Sequence, residues 1–273
     1  MSGLDLRPLS VGEILDRTFT LYRRHFLLFA GLAAIPQVPV LAVNLWAATT
    51  NLAADSPLGT TMLVSGVVVV MVLIAYLFSQ GSATWAVSQL YLGHTTTIAD
   101  SLRHASRRLG TLFGVLLLNF LALIPAFMLL VIPGLYLTCR LLVGVPAAVI
   151  EGHSAGNSLA RSFLLTKGFA GPAFLILLLY FVLYWGATSL ITVPLLFPMI
   201  TEGPNAQPSQ WVLAATQVIS FVVSALLTPV LLIATAVFYY DLRVRKEAFD
   251  LQVMLGVEAA PRLDPAVPPA LPQ

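Results

Sequence analysis

The chain has 273 residues, of which 58% are hydrophobic and only 10% charged, whereas a soluble domain carries about a quarter charged residues. A formal net charge of +2, from 14 basic and 12 acidic side chains, gives no argument for nucleic-acid binding, and Cys139 as the only cysteine excludes an internal disulfide. These totals also exclude a water-soluble globule. Segments 26–54, 56–99, 109–139, 168–201 and 203–240 hold no Asp, Glu, Lys or Arg, and about 20 apolar residues already match the roughly 30 Å hydrocarbon core of a bilayer. The runs are helix-length and lack the ten-residue alternation of a barrel, so the expected class is an all-α integral membrane protein.

In chain order, the lead segment "LSVGEILDRTFTLYRRHF" at 9–26 starts with a capping box, Ser10 and Glu13. Val11, Ile14, Leu15, Phe19, Tyr22 and Phe26 then share one helical face, with Glu13, Asp16, Arg17, Arg23 and Arg24 on the rest. Such a helix either lies in the membrane interface with its arginines toward anionic headgroups or caps the bundle from the cytosol. The first apolar run begins only at Phe26, is longer than the core of a signal peptide, and follows acidic as well as basic residues. It is expected to be a retained first span, 26–48, kinked at Pro36 and Pro39.

A loop at 49–60 leads to a second span from about Thr61 to Phe78, continuing as helix to Tyr91 past a small, polar break at 79–82. Thr97 and Asp100 start another charged helix, with Ile98, Leu102, Ala105 and Leu109 on one face and Arg103, Arg107 and Arg108 elsewhere. A third span covers 111–131. Pro133 and Gly134 read as a turn, and 135–150 as a short fourth span. Ser154 then precedes Leu159, Phe163, Arg161 and Lys167 in a third charged helix, followed by a fifth span at 172–193, a loop at 201–210 and a sixth span at 211–240. Beyond it, Asp241 with Arg245, Arg243 with Glu247, and Lys246 with Asp250 form opposite-charge pairs four residues apart. They predict a helical extension that either contacts the charged helices or ends in solvent. The membrane domain is expected to cover 1–255, and the proline-rich stretch 256–273 to be a disordered tail.

All but one of the fourteen basic residues precede span one, lie between spans two and three or four and five, or follow span six. The loops at 49–60 and 201–210 have none. By the positive-inside rule the basic face is cytoplasmic, which requires six spans with both termini inside and a hairpin between the third and fourth. Aligning Leu15, Leu102 and Leu159 gives three units, each an interfacial helix, a span outward and a span back. Ile35 and Pro36 fall nearly where Ile124 and Pro125 do, but the third unit lacks that proline, so the three-fold repeat is degenerate.

The stretches "LRPLSVGEILDRTFTLYRRHF" at 6–26, "IPGLYLTCRLLVGVPAAVIEG" at 132–152 with "NSLARSFLLTKG" at 157–168, and "YYDLRVRKEAFDL" at 239–251 resemble the membrane domain attached to some bacterial glycerophosphoryl diester phosphodiesterases. That domain also occurs alone in bacterial membrane proteins. The resemblance spans roughly 6–255 and implies a bacterial inner-membrane location. Enzymatic members carry a separate TIM barrel with an early His-Arg pair. This chain has no His-Arg dipeptide and no alternating strand–helix pattern, so the resemblance implies the membrane part without the catalysis, and no catalytic residue carries over.

The candidate contacts for lipid or anion are Arg17, Arg23, Arg24, Arg103, Arg107, Arg108, Arg161 and Lys167 on the basic face, and Arg140 within the fourth span. An arginine inside a span is a functional hypothesis by default, and its guanidinium can hold a phosphate or carboxylate bidentately. The alternatives are snorkelling to the outer interface or backbone carbonyls freed near Pro133 or Pro146. Glu151, ending the fourth span, is expected to make a structural ion pair with a basic residue of a charged helix. His25, His94, His104 and His153 lack the spacing of a metal site. Cys139 has no visible general base, and no nucleophile-elbow or phosphate-loop motif is present. Asn44, Asn119 and Gln217 are too scattered in sequence to define a cavity, and Ser220, Ser224 and Thr228 suit helix packing.

The sequence therefore predicts a non-enzymatic membrane module, without cofactor or metal, whose partners are anionic lipid headgroups and a second membrane protein or copy of itself. The alternatives are a transporter component, which needs a polar cavity near the midplane, and a small lipid-acting membrane enzyme, which needs clustered ionisable groups at one depth.

Overall fold

The computed structural model describes residues 7–50, 57–202 and 209–247. The expected tail at 256–273, together with Asp55, Asp250 and Arg262, lies outside them. Ten helices account for the regular structure among the described residues: α1 (Val11–Arg24), α2 (Phe26–Thr49), α3 (Leu58–Tyr91), α4 (Ile98–Arg107), α5 (Leu109–Leu129), α6 (Val131–Leu141), α7 (Gly144–Ile150), α8 (Ala155–Thr166), α9 (Ala170–Glu202) and α10 (Gln210–Glu247).

Six segments are long and apolar enough to cross a membrane: α2, α3, α5, α6 with α7, the 170–195 part of α9, and α10. In α2, α3, α5 and α9 most of the apolar surface faces outward, and Leu27, Leu121, Met128, Ile132 and Leu190 are among the large side chains left uncovered. A water-soluble protein does not leave contiguous apolar faces of this extent exposed; this chain is a multi-pass membrane protein.

The helix starts follow local chemistry. At α1 the Ser10 side chain accepts from the Glu13 N–H while the Glu13 carboxylate accepts from the Ser10 N–H, a complete capping box. Glu13 also holds Arg7 at 2.5 Å. These contacts draw the exposed Glu13 carboxyl down to about 2, the Ser10 backbone N–H contributing most. Thr97 caps α4 by accepting from the Asp100 N–H. Ser154 occupies the same place before α8 but makes no such bond.

Three expectations need correction. The polar stretch at 79–82 does not break the second span: α3 is one 34-residue helix. Ser82 returns its hydroxyl to the Phe78 carbonyl at 2.6 Å and Ser79 donates to the Leu32 carbonyl of α2 at 3.2 Å, so small hydroxyl side chains serve close packing. The α5–α6 turn sits at Leu130, in extended conformation at φ −168°, and not at Pro133 and Gly134. Proline is tolerated in the first turn of a helix because its missing N–H has no acceptor there, so Pro133 lies inside α6. A Cβ on Gly134 would come 2.4 Å from the Phe127 ring, so that glycine allows the hairpin to close.

The expected fourth span is two helices. Pro146 has no N–H to give the Leu142 carbonyl, and the chain breaks at residues 142 and 143 before α7. Of the two readings of the charged end of α10, the structure shows contact with the charged helices α1 and α8 and not a solvated end. Phe238, Tyr239, Tyr240, Asp241, Leu242 and Arg243 are all buried, and α10 packs on α1, α2, α3, α7, α8 and α9. Among the described residues it is the centre of the protein.

The short helices α1, α4 and α8 sit at one end of the bundle, called here the collar end. α4 packs mainly on α3 and also on α2, α8 on α5, α6 and α7 and less on α10, and α1 mainly on α10, with lesser contacts to α9 and α2. In each, the two positions one before and three after the aligned leucine are at most 1% exposed: Ile14 and Thr18, Ser101 and Ala105, Ser158 and Ser162. The first residues of α4 and α8 both press on a glycine of an earlier span, Ile98 on Gly31 and Ala155 on Gly114. Small residues let helices approach closely where lipid supplies no hydrophobic driving force.

Candidate functional site

At the collar end, the segment joining α7 to α8 meets the last turns of α10 in a cluster of buried charge. Glu151 is its hub. Arg161 of α8 donates Nε at 2.9 and 3.1 Å to the two carboxylate oxygens and a terminal nitrogen at 2.9 Å to Oε1, a bidentate grip. The Tyr239 hydroxyl donates to Oε1, His153 Nε2 lies 2.7 Å from Oε2, and Arg243 Nε stands 3.8 Å off. Glu247 completes the group, binding Arg161 at 2.5 Å and Arg243 at 3.2 Å. Side-chain exposures of 9% for Glu151 and 13% for Arg161 place the pair away from bulk water. Burial pushes the Glu151 carboxyl up, but the bonds from Arg161 and Tyr239 and the charges of Arg161 and Arg243 outweigh it, and its pKa falls. Against burial, Glu151 and Glu247 hold the Arg161 guanidinium more firmly protonated than usual.

A second lock joins the two ends of the described chain. Asp241, whose side chain is 1% exposed, accepts from the Leu9 N–H at 2.7 Å and from Arg245 Nε at 2.8 Å. Arg245 in turn donates to the Leu9 carbonyl at 2.6 Å. One acid–base pair on α10 therefore satisfies both backbone groups of Leu9, immediately before the α1 cap.

The nominated basic residues fall into two groups. Arg23, Arg24, Arg103, Arg107 and Lys167 are exposed at the collar end. Arg17, Arg108, Arg140 and Arg161 are engaged with the protein. Arg17 donates to the Tyr91 hydroxyl at 3.1 Å and Arg108 to the Ala148 carbonyl at 3.4 Å. Arg140 donates to the Phe163 carbonyl at 2.6 Å and stacks over the Phe163 ring. Its own carbonyl accepts from Ser162 and Thr166. The structure thus turns Arg140 toward the C-terminal end of α8. It points neither to the far interface nor to carbonyls near the prolines. Lys246 caps the same end of α8, donating to the Leu164 and Lys167 carbonyls, where the helix dipole favours cations.

The histidines are dispersed. His104 stacks on Trp85 at 3.6 Å and 5°; burial and then the charges of Arg108 and Arg107 lower its pKa. Among the described residues no group of three His, Cys, Asp or Glu side chains can hold a metal ion.

Sequence reasoning missed the partners of Glu151 on α10. The signal was present: Tyr239, Arg243 and Glu247 recur every four residues, on one helical face. It also missed that polar residues remote in sequence converge within the spans. Asn44 and Gln217 line one pocket with Gln37, Tyr184, Ser220 and Ser224. Asn119 lines another, with Tyr76, Gln80, Thr138 and Thr235. No family model matches the chain, and no curated protein or solved structure does either.

Proposed function

We propose that the protein is a non-enzymatic module of a bacterial inner membrane that holds anionic lipid, or an acidic membrane partner, against a cytoplasmic basic collar. The observation that carries this reading is the split among the basic side chains. The buried ones are spent on Glu151, Glu247, Asp241 and backbone carbonyls. Arg23, Arg24, Arg103, Arg107 and Lys167, on the short helices or their ends, stay exposed. Juxtamembrane arginines and lysines each add about 1 kcal/mol of attraction to an anionic surface. With the basic face inward, both termini are cytoplasmic.

The resemblance to the membrane domain attached to some glycerophosphoryl diester phosphodiesterases supports the same location. Glu151 has both oxygens occupied by Arg161, Tyr239 and His153, which favours a structural role over proton transfer. We read α1, α4 and α8 as amphipathic interfacial helices and the chain as a degenerate three-fold repeat. Its support is the matching pair of buried positions in each short helix and the placing of α4 and α8 mainly on the spans of the preceding unit, with α1 mainly on the last span.

The test is lipid retention. Protein purified in mild detergent from bacterial membranes should carry phosphatidylglycerol or cardiolipin, seen by native mass spectrometry. The double variant R23E/R24E should lose most of it while eluting as the same folded species. Equal retention by that variant would reject the basic collar as the binding surface.

A further inference from the structure

We propose that the cleft between α3 and α5 binds the hydroxyl end of an uncharged long-chain amphiphile, a lipid alcohol of the diacylglycerol type. The site is separate from the basic collar and does not rest on it. It is a cavity of about 470 Å³, within the range of small-molecule sites. Its polar lining is Tyr76 and Gln80 of α3, Asn119 of α5, Thr138 of α6 and Thr235 of α10. Asn119 is ten residues into α5, about 15 Å along it at 1.5 Å per residue, and so near the middle of a roughly 30 Å hydrocarbon layer. Polar groups at that depth are costly unless satisfied.

The hydrogen-bond inventory selects the ligand. Gln80 spends an amide hydrogen on the Tyr76 oxygen at 2.9 Å. The hydroxyl hydrogens of Thr138 and Thr235 go to the Gly134 and Leu232 carbonyls at 2.8 and 3.0 Å. What is left is a mixed set: lone pairs on both threonines accept, while the Tyr76 hydroxyl hydrogen, the second amide hydrogen of Gln80 and the Asn119 amide N–H groups donate. The Asn119 Oδ1 is buried without a protein partner.

An alcohol fits such a set, accepting from the Tyr76 hydroxyl or an amide N–H and donating to a threonine oxygen. No Asp, Glu, Lys, Arg or His lines the cavity, so an ionic headgroup would sit there uncompensated. The remaining wall is apolar, and Val72 on α3 and Phe120 on α5 are about half exposed on the outer, lipid-facing side. The cleft therefore opens sideways into the bilayer, where the chains of an amphiphile can stay while its hydroxyl enters.

The experiment uses the full chain in zwitterionic nanodiscs doped with a diacylglycerol carrying a diazirine in one acyl chain. After irradiation, label should concentrate on 72–80 of α3 and 116–123 of α5, and excess unlabelled diacylglycerol should compete it away. N119L and, as a second variant, T138V should each lower that labelling about fivefold, the loss of roughly one hydrogen bond. N44L, in the other polar pocket, should not. R23E/R24E should leave the labelling intact, and N119L should leave anionic-lipid retention intact, so the two proposals fail separately. Equal labelling by a diazirine phosphatidylcholine of the same chain length would overturn the assignment. So would labelling indifferent to both variants, or glycerol flux through proteoliposomes without diacylglycerol labelling.

Discussion

Replacing Glu151 by alanine should loosen the collar end more than any other single polar substitution there. The carboxylate takes three hydrogen bonds from Arg161 and one from Tyr239. Its loss leaves Arg161, 13% exposed, and Arg243, 9% exposed, facing each other across the gap. Removing one partner of a buried ion pair costs about 3–5 kcal/mol because the other charge stays buried. Glu247 still holds both guanidiniums, at 2.5 and 3.2 Å, so the lower end applies, about 3 kcal/mol. For a chain of this size that corresponds to a fall in Tm of about 6–12 °C, measurable by thermal unfolding in detergent. The double variant E151A/R161M removes a stranded charge and should recover part of the loss, a coupling of about 1–3 kcal/mol. The pH dependence has a defined direction: the Glu151 carboxyl is held below its ordinary 4.5, so its contribution is complete above that value. It is lost as pH falls through the folded-state value. A Tm change under 2 °C for E151A, or a double variant no better than the additive sum, would refute the assignment of Glu151 as the hub.

Three further outcomes follow from single contacts. G134A should destabilise the α5–α6 hairpin by about 1–3 kcal/mol, as overpacking does; because its Cβ would meet the Phe127 ring at 2.4 Å, G134A/F127L should restore the Tm. D241N weakens the charged grip on Leu9 and Arg245, so limited proteolysis should cut near residues 7–10 faster than in the parent, with the spans untouched. His104, its pKa lowered by burial and by Arg108 and Arg107, should stay neutral at pH 6.5. Its protonation, read as quenching of the stacked Trp85 and absent in W85F, should have a midpoint below 6.5, and stability linked to it should be lost on further acidification.

The spans were legible because bilayer thickness imposes a length on apolar runs, and five such runs have no charge at all. The capping box at Ser10 and the cap at Thr97 were legible because they are local. The position of the α5–α6 turn was not, since Pro133 has one meaning in a loop and another in the first turn of a helix. Only the packing of Phe127 on Gly134 distinguishes them. Ser79 and Ser82 read as a break for a similar reason: a small polar residue marks either a loop or a close helix contact, and here it touches Leu32. At the collar, Glu151 pointed to a basic partner on a charged helix, and Arg161 is that partner. Tyr239, 88 residues away, required the tertiary structure. Asn119 looked isolated because the polar groups sharing its cavity come from three other helices.

The account depends on the basic collar facing the cytoplasm. Single cysteines at Thr50 and Arg103, both exposed and at opposite ends of the bundle, can be introduced after replacing the buried Cys139 by alanine. A membrane-impermeant maleimide applied to intact bacterial spheroplasts should label position 50 at once and position 103 only after lysis. Labelling of 103 before lysis, with 50 protected, would contradict it.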